Sequence, residues 1–276
     1  MTFTPTPNYP VYPPYHTGLY LEDYFIDFIN KNEIKTERQF IKIGWTSYYN
    51  NGCNIPQLQN YLDTLPKREK YYVVCQHDDA PRERLPEDTL VFSAGGNFKG
   101  KGVIPIPLIC SPLLNIPNEV SLENKDIFCS FVGSDTHRIR RKLYEKYNSK
   151  YFFQQSAWNP TISDEQLNNF IYITSRSKFA LCPRGYGASS FRLYETMQIG
   201  CVPIYVSDEH YLPWSDEINW NSICILIKEH EIDDLDNILK NIDDITYNNM
   251  LYNIKQIYNK YFTLDGVCNN IIKRIN

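Results

Sequence analysis

The feature that most constrains the fold is a regular alternation of strand-like and helix-like segments in the second half of the chain. Short apolar runs predict five strands, at 127–132, 151–154, 179–182, 201–206 and 223–227. Segments with helical spacing lie between the first four of these strands, at 136–147, 164–175 and 190–199. Strands that alternate with helices predict a parallel sheet with helices on both faces, so the fold class is α/β.

The first half carries weaker signals and predicts a separate domain. Helical spacing over 19–29 is followed by four strand-like runs, at 40–45, 71–75, 90–93 and 103–109. The segment 111–125 is polar and broken by prolines, which is typical of a domain boundary. The predicted divisions are an N-terminal domain over 1–118, a C-terminal domain over 119–260 and a last helix over 261–276 that packs back on the N-terminal domain.

Composition and charge narrow the class of protein. The 276 residues carry 28 Lys and Arg against 32 Asp and Glu, a net charge of −4, which disfavours a nucleic-acid binder. The longest apolar run, at 103–110, contains two prolines and is much shorter than the roughly 18 residues of a membrane span. The N-terminus lacks a signal-peptide pattern, and the eight cysteines form no C-x-x-C pair. We therefore expect a reduced, cytoplasmic protein without a zinc site.

The segment with the clearest chemistry reads as a strand, a glycine-containing loop and a helix start. The first amides of a helix and its dipole attract anions, and Gly185 would let the backbone approach a phosphate closely. Arg184 adds a positive charge, and Ser189 or Ser190 can cap the helix or donate to a phosphate oxygen. The pattern predicts a phosphate site, with an ordinary capped turn as the alternative.

Two charged residues follow within the same helix. Arg192 and Glu195 are three residues apart and share a helix face. A carboxylate at Glu195 lies one to two turns beyond the phosphate site, where it could accept hydrogen bonds from both ribose hydroxyls of a nucleotide. The alternative is a surface Arg–Glu pair, which contributes little to stability.

The residues around this loop resemble the exostosin family of glycosyltransferases. The resemblance is dense over 127–230, and the runs that carry it are Phe-Val-Gly-Ser-Asp-Thr-His-Arg-Ile-Arg at 131–140, Ser-Lys-Phe-Ala-Leu-Cys-Pro-Arg-Gly at 177–185, Ser-Phe-Arg-Leu-Tyr-Glu-Thr-Met-Gln-Ile-Gly-Cys-Val-Pro-Ile-Tyr-Val-Ser-Asp at 190–208, Leu-Pro-Trp at 212–214 and Ile-Asn-Trp at 218–220. Before residue 100 the resemblance is thin.

The resemblance implies a GT-B fold, in which two Rossmann-like domains face each other across a cleft. In that family the C-terminal domain binds a sugar nucleotide, usually a UDP-sugar, and the reaction inverts the anomeric centre. The N-terminal domain would then bind the acceptor. Typical members carry a membrane anchor and a stem or a second catalytic domain, and we expect this chain to be a minimal soluble member of viral or bacterial type.

Glycosyl transfer requires stabilisation of the departing diphosphate, and the sequence offers cationic groups for this task. GT-B enzymes commonly use no metal, and we expect neither a metal nor another cofactor. The predicted donor-binding residues are Gly133, Ser134, Arg138, Arg141, Arg184, Gly185, Tyr186, Ser189, Ser190, Arg192, Glu195 and Asp208. A solvated helix face is the alternative for the two arginines of the 136–147 helix, and a turn cap is the alternative for Asp208.

The general base is expected in the N-terminal domain, opposite the donor. Asp79 is the first candidate, and Asp78 and His77 are the next ones. All three lie just after the 71–75 strand, and cleft residues emerge at the carboxyl ends of strands in α/β folds. A turn with solvated carboxylates is the alternative. The rival base is His16, because other inverting GT-B enzymes place a histidine on an early loop. Aromatic residues could stack on acceptor sugars or simply be half-buried, namely Tyr12, Tyr15, Trp45, Tyr48 and Tyr49.

The function predicted from these residues and this resemblance is an inverting glycosyltransferase that moves a sugar from a UDP-sugar to a hydroxyl of a glycan. UDP-xylose or another UDP-hexose or UDP-pentose is the expected donor. The first alternative is a non-catalytic carbohydrate-binding protein on the same fold. The second is a nucleotide-dependent enzyme that modifies nucleic acid, which the acidic balance disfavours. We expect a monomer or weak oligomer with no membrane anchor and no nucleic-acid partner.

Overall fold

Two separate parallel sheets organise the chain, as shown by a computed structural model that describes residues 20–50, 55–109, 112–117, 125–159 and 162–276. The described residues divide into two compact units. The first unit contains those up to Ile109 together with Lys260–Asn276, and the second contains Pro112–Asn259. Each unit is an α/β structure of Rossmann-like type, which confirms the predicted fold class.

The described residues form nine strands and nine α-helices. The strands are β1 (Gln39–Phe40), β2 (Tyr71–Cys75), β3 (Leu90–Ser93), β4 (Val103–Pro105), β5 (Ile127–Ser134), β6 (Phe152–Ser156), β7 (Ser177–Pro183), β8 (Val202–Val206) and β9 (Ile225–Ile227). The helices are α1 (Leu21–Lys31), α2 (Trp45–Asn50), α3 (Ile55–Asp63), α4 (Arg138–Tyr147), α5 (Asp164–Arg176), α6 (Phe191–Ile199), α7 (Leu235–Lys240), α8 (Asp244–Tyr261) and α9 (Leu264–Ile275).

The first unit places its four strands side by side in chain order, all parallel. Every residue of β2 is buried, as expected for a parallel strand that is covered on both faces. The strand predicted at 40–45 is wrong beyond Phe40, because Trp45 starts α2 instead and its fully buried ring packs in the core. Helix α3 was not predicted, although Leu58 and Leu62, four residues apart, anchor it to the same core.

The second unit confirms the strand–helix alternation of the sequence. Its five parallel strands lie in the order β6-β5-β7-β8-β9, and helices α4, α5 and α6 connect the first four of them along the chain. The Ser163 side chain accepts from the Gln166 backbone amide, and the Gln166 side chain accepts from the Ser163 backbone amide, which forms a capping box at the start of α5. Gly200 ends α6 with a φ of 78°, a left-handed conformation that favours glycine.

The last helix packs within the first unit. Helix α9 contacts α1, and the Tyr24 hydroxyl donates to the Asp265 carboxylate over 2.6 Å. At the end of the chain, the Asn276 side chain accepts from the Glu37 amide. In the described part of the chain, no helix combines the length and the apolar character that crossing a bilayer requires.

Candidate functional site

The second sheet reverses its strand order at one place, between β5 and β7. Strand β6 lies on one side of β5, and β7, β8 and β9 follow on the other side. In open α/β sheets, ligands bind beside such a reversal, at the carboxyl ends of the strands. Ser134 is the last residue of β5 and Arg184 directly follows β7, so the predicted donor residues at the ends of these two strands are neighbours at this edge.

A buried arginine ties the two loops together. Arg140 of α4 donates to the carbonyl oxygens of Ser134 over 2.8 Å, Pro183 over 3.0 Å and Arg184 over 3.0 Å. Its guanidinium also lies over the Phe131 ring. These three hydrogen bonds fix the Arg140 guanidinium beside the two loops and hold the backbone at the point where each loop begins.

Small residues keep this edge open. A Cβ atom on Gly133 would lie 3.0 Å from the tip of the Phe131 ring and 3.6 Å from the Arg192 side chain. A Cβ atom on Gly185 would lie 3.4 Å from both the Thr136 hydroxyl and the Arg140 guanidinium. A larger side chain at Gly133 would crowd the Phe131 ring, and one at Gly185 would fill the space between the two loops.

The loop between β7 and α6 is anchored by the buried side chain of Tyr205 and ends at the start of α6. The Tyr205 hydroxyl donates to the Ala188 carbonyl and accepts from the Tyr211 amide. Ser190 is the N-cap residue of α6, but its side chain makes no capping hydrogen bond, so the helix itself does not use this buried hydroxyl. The Ser189 side chain is also buried.

Two other predicted donor residues of this loop, Arg184 and Tyr186, are more exposed than the two serines. The Arg184 guanidinium bends over its own loop and donates to the Tyr186 carbonyl over 3.1 Å. The Tyr186 ring is 62% exposed. Both side chains can therefore move toward a ligand without disturbing the core.

Glu195 is buried and the Arg192 side chain is only 13% exposed, which excludes the interpretation as a surface pair. Arg192 donates to the Val132 carbonyl over 2.8 Å and to one Glu195 oxygen over 2.5 Å, and it stacks on the Phe170 ring. The other carboxylate oxygen of Glu195 is buried and has no hydrogen-bond partner among the described residues. A buried acceptor without a partner is rare and costly, so this oxygen is available to a ligand's hydroxyl group.

The electrostatic field at the site is positive. His137 is the N-cap of α4, and its Nδ1 accepts from the Ile139 amide. Burial, together with the positive charges of Arg184 and of Arg138, Arg140 and Arg141, lowers the pKa of His137 to about 4. The imidazole is therefore neutral at pH 7, and the same field favours an anion at these loops.

The other predicted donor residues lie at the rim, where they already have contacts. Arg138 is largely exposed and lies 3.6 Å from the Glu229 carboxylate. Arg141 pairs with Asp135 over 3.1 Å. Asp208 is exposed and accepts from the Glu229 amide over 2.9 Å, which is the contact of a turn cap. These residues surround the site without facing its centre as Glu195 does.

The predicted base, Asp79, lies in a turn of the first unit that side-chain hydrogen bonds hold in place. Asp79 accepts from Asn97 over 3.0 Å and pairs with Arg82 over 3.1 Å, and its own amide donates to His77 Nδ1. Burial, followed by the Arg82 charge, lowers the pKa of His77. A Cβ atom on Gly95 would lie 2.3 Å from the Asp78 backbone, so a glycine is required where β3 ends beside this turn.

A comparison with models of protein families shows which family the chain belongs to. The model of the Exostosin GT47 domain matches residues 72–242, which is more than half of the sequence. The chain belongs to the exostosin GT47 family. The matched segment includes the Asp79 turn of the first unit and the whole β5–β7 edge of the second.

Curated relatives of this exostosin GT47 domain include one match over most of the chain and several shorter ones. The exostosin-1 homolog of Caenorhabditis elegans is 31% identical over 279 residues, covering 90% of this chain and 71% of the relative. A probable glucuronosyltransferase of Oryza sativa subsp. japonica is 34% identical over 38% of this chain, and the probable beta-1,4-xylosyltransferase IRX10 of Arabidopsis thaliana is 32% identical over 37%. Each match spans 23% of the plant protein.

Solved structures align with the exostosin GT47 domain at low similarity. The sucrose-phosphate synthase of Thermosynechococcus elongatus covers 92% of this chain and 71% of its own, with 12% identity and a TM-score of 0.44. AviGT4, a glycosyltransferase involved in avilamycin A biosynthesis, covers 94% and 90%, with 9% identity and a TM-score of 0.42.

Several residues of this exostosin GT47 domain contribute to the site although the sequence interpretation gave them no site role. They are Thr136, His137, Tyr205 and Glu229. The basic start of α4 pointed to Arg140 as a positive charge for the diphosphate, but no local pattern separates a clamping arginine from a solvated one.

The remaining predicted residues lie either outside the described residues or in the core of the first unit. His16, Tyr12 and Tyr15 lie outside the described residues. Trp45, Tyr48 and Tyr49 are buried in the first core, as the half-buried alternative predicted. Among the described residues, no group of three or more His, Cys, Asp or Glu side chains could hold a metal ion.

Proposed function

We propose that this exostosin GT47 domain transfers a sugar from a UDP-sugar to a hydroxyl group of a glycan, with inversion at the anomeric carbon. The observation that carries the proposal is the unpartnered oxygen of Glu195, a carboxylate whose other oxygen accepts from Arg192 at the reversal of a parallel sheet. A carboxylate in that place can accept hydrogen bonds from ribose hydroxyls, as a nucleotide requires.

The diphosphate would lie against the loops after β5 and β7. The Gly133 and Gly185 backbones allow a close approach, and the α6 start with the Ser189 and Ser190 hydroxyls points to the same edge. The Arg184 guanidinium donates to the carbonyl oxygens of Gly185 and Tyr186, and the loop at 184–190 contains no carboxylate that would neutralise its charge. Together these groups would stabilise the charge that develops on the departing UDP.

Asp79 is the proposed general base. During transfer, the acceptor oxygen would bond to the anomeric carbon while the bond from that carbon to the phosphate oxygen breaks. The acceptor's proton would pass to the Asp79 carboxylate, and the electron pair would leave with UDP. Asn97 and Arg82 hold the Asp79 carboxylate in a defined orientation. The chain's own cations would supply the charge stabilisation, with no metal ion required.

The donor is proposed to be UDP-xylose or another UDP-hexose or UDP-pentose. Support comes from relatives that are named as a probable beta-1,4-xylosyltransferase and as probable glucuronosyltransferases. The first test is thermal unfolding with UDP, UDP-xylose, UDP-glucose and UDP-glucuronic acid. Binding at a hundredfold excess over Kd adds about 2.7 kcal/mol to the free energy of unfolding. The absence of any shift would defeat the proposal.

The second test separates transfer from binding. Asp79→Asn should keep the thermal shift with UDP while transfer falls by about a hundredfold or more, as is typical for loss of a general base. Asp78→Asn is the matched control and should keep transfer. An unchanged rate in Asp79→Asn would exclude Asp79 as the base. The NMR coupling of the new anomeric proton must show a β linkage from an α-linked donor. UDP binding without any transfer would favour a non-catalytic carbohydrate-binding protein.

A further inference from the structure

A groove of about 670 Å³ follows strand β6, the edge strand of the second sheet. Its walls combine aromatic rings, amides and one carboxylate, contributed by Asp135, Tyr144, Phe153, Gln154, Gln155 and Ser156. We propose that this groove is a binding subsite for a neutral glycan. Its role in holding the glycan that receives the sugar rests on the proposed function, whereas the binding itself does not.

Two rings form a rigid apolar wall of the groove. Tyr144 of α4 is 41% exposed and meets Phe153 edge to face, with ring centroids 5.8 Å apart. Phe153 in turn packs against the buried Phe131 ring, so its position is fixed by the core. The C–H-rich faces of sugar rings bind well to aromatic rings whose positions are set in advance.

A polar group on the groove lacks a partner. The side-chain nitrogen of Gln155 is buried and donates to none of the described residues. Its neighbour Gln154 already accepts from the Asn169 amide over 2.7 Å, and Asp135 accepts from Arg141. A sugar hydroxyl in the groove would accept from Gln155 and so relieve the cost of the unsatisfied donor.

The charge of the lining selects a neutral ligand. Among the residues that line the groove, there is no lysine or arginine, and Asp135 is the one charged member. Asp135 is already paired with Arg141 over 3.1 Å, so a uronic acid or sulfate group in the groove would lose hydration without gaining an unpaired cation. A neutral hexose or pentose chain offers hydroxyl donors to Asp135 and acceptors to Gln155 at no such cost.

The groove is continuous with the candidate site. Asp135 directly follows Ser134, the last residue of β5, and its amide donates to the Ser156 carbonyl at the end of β6. A glycan that lies along β6 would thus have one end next to the loop that we assign to the diphosphate. This placement fits a chain that is held while its terminal sugar is extended.

The test measures glycan binding directly, by titrating the whole protein into fluorescently labelled xylohexaose and cellohexaose. A heparin-derived hexasaccharide serves as the anionic probe. We expect millimolar or tighter binding of at least one neutral probe and binding of the heparin probe that is at least about tenfold weaker. Tyr144→Ala and Gln155→Leu should each weaken the neutral interaction by about tenfold. Tyr252→Ala removes a comparably exposed helix tyrosine outside the groove and should change nothing.

The outcomes separate this inference from the proposed function. Unchanged neutral binding in both groove variants overturns the inference, as does tighter binding of the heparin probe or no binding of either neutral probe at millimolar concentration. UDP binding is measured on the same samples by thermal shift, which also confirms that the variants are folded. Loss of glycan binding with a normal UDP shift supports the groove. A wild-type protein that binds glycan through the groove but never binds UDP refutes the proposed function alone.

Discussion

Of the four buried glutamates among the described residues, Glu22 of the first unit and Glu195 of the second each lie near the carboxyl end of a central strand. These two differ in how completely they are hydrogen-bonded. Glu22 of α1 accepts from the Thr46 amide over 2.9 Å, from the Thr46 hydroxyl over 2.5 Å and from the Gln76 amide over 3.0 Å. Glu195 of α6 contacts Arg192 with one oxygen, while the other has no partner among the described residues. The two side chains are almost equally inaccessible to solvent.

The difference separates a structural role from a binding role. Glu22 joins α1, α2 and the end of β2, and its acceptor capacity is used within the protein. Burial, followed by the nearby Asp23 charge, raises the pKa of Glu22 to about 8 from a usual value of 4.5. Its stabilising contribution is therefore complete below about pH 4.5 and is lost as the pH rises toward 8. Glu195 leaves one oxygen unsatisfied, which costs stability unless a ligand uses it.

The largest expected effect is on folding and concerns Glu22. Glu22→Ala would leave the buried amides of Thr46 and Gln76 without their acceptor, at about 1–3 kcal/mol each. We expect the free energy of unfolding to fall by about 3 kcal/mol in urea titrations. Glu195→Gln should lose less than about 1 kcal/mol, because an amide oxygen can still accept from Arg192. Equal losses in the two variants would erase the distinction between the two glutamates.

The second-largest effect is on nucleotide affinity. Here we expect the Glu195 variant to lose affinity and the Glu22 variant to keep it. Hydrogen bonds to a charged group contribute about 1.5–3 kcal/mol, so Glu195→Gln should weaken UDP binding by about tenfold to a hundredfold in calorimetric titrations. Glu22→Gln is the matched control, with a buried carboxyl group changed in the same way, and should bind UDP as the wild type does. If Glu195→Gln binds UDP normally, the ribose assignment is wrong.

A smaller effect concerns the protonation of His137. Its pKa of about 4 reflects burial and the Arg184 charge first, so a bound diphosphate that offsets the positive field should raise the pKa. NMR titration of the ring protons should show an increase of about one unit or more with saturating UDP. Without ligand, the neutral ring contributes stability above pH 6.5 that is lost as the pH falls toward 4. The same pKa with and without UDP would place the diphosphate elsewhere.

The smallest expected effect is at the rim of the site. Arg138 is 67% exposed and its contact with Glu229 is long, so solvent screens the interaction. Arg138→Ala should change UDP affinity by less than about threefold, on the order of 0.5 kcal/mol. The UDP affinities of Arg138→Ala and Glu195→Gln should be measured by calorimetry under the same conditions. A larger loss in Arg138→Ala than in Glu195→Gln would move the centre of the site toward α4.

Much of the second unit could be predicted from local sequence. The strands around β5, β7 and β8, the capping box at Ser163 and the left-handed Gly200 follow from patterns a few residues long. The first unit was harder, because Ile41 and Ile43 alternate like a strand but pack in the core ahead of a helix that Trp45 starts. There, tertiary burial overrides the local pattern.

By itself, the sequence determined the α/β class, the resemblance to exostosins and the residues that stand at the ends of β5 and β7, since hydrophobic period and turn chemistry are local properties. Only the tertiary structure decided that Arg140 is a clamp, that Glu22 is satisfied and that one oxygen of Glu195 is not. These outcomes depend on contacts between residues far apart in the chain, such as Arg140 with Pro183 and Glu22 with Gln76. Hydrogen-bond satisfaction of a buried group is set by its neighbours in space, and no local pattern encodes it.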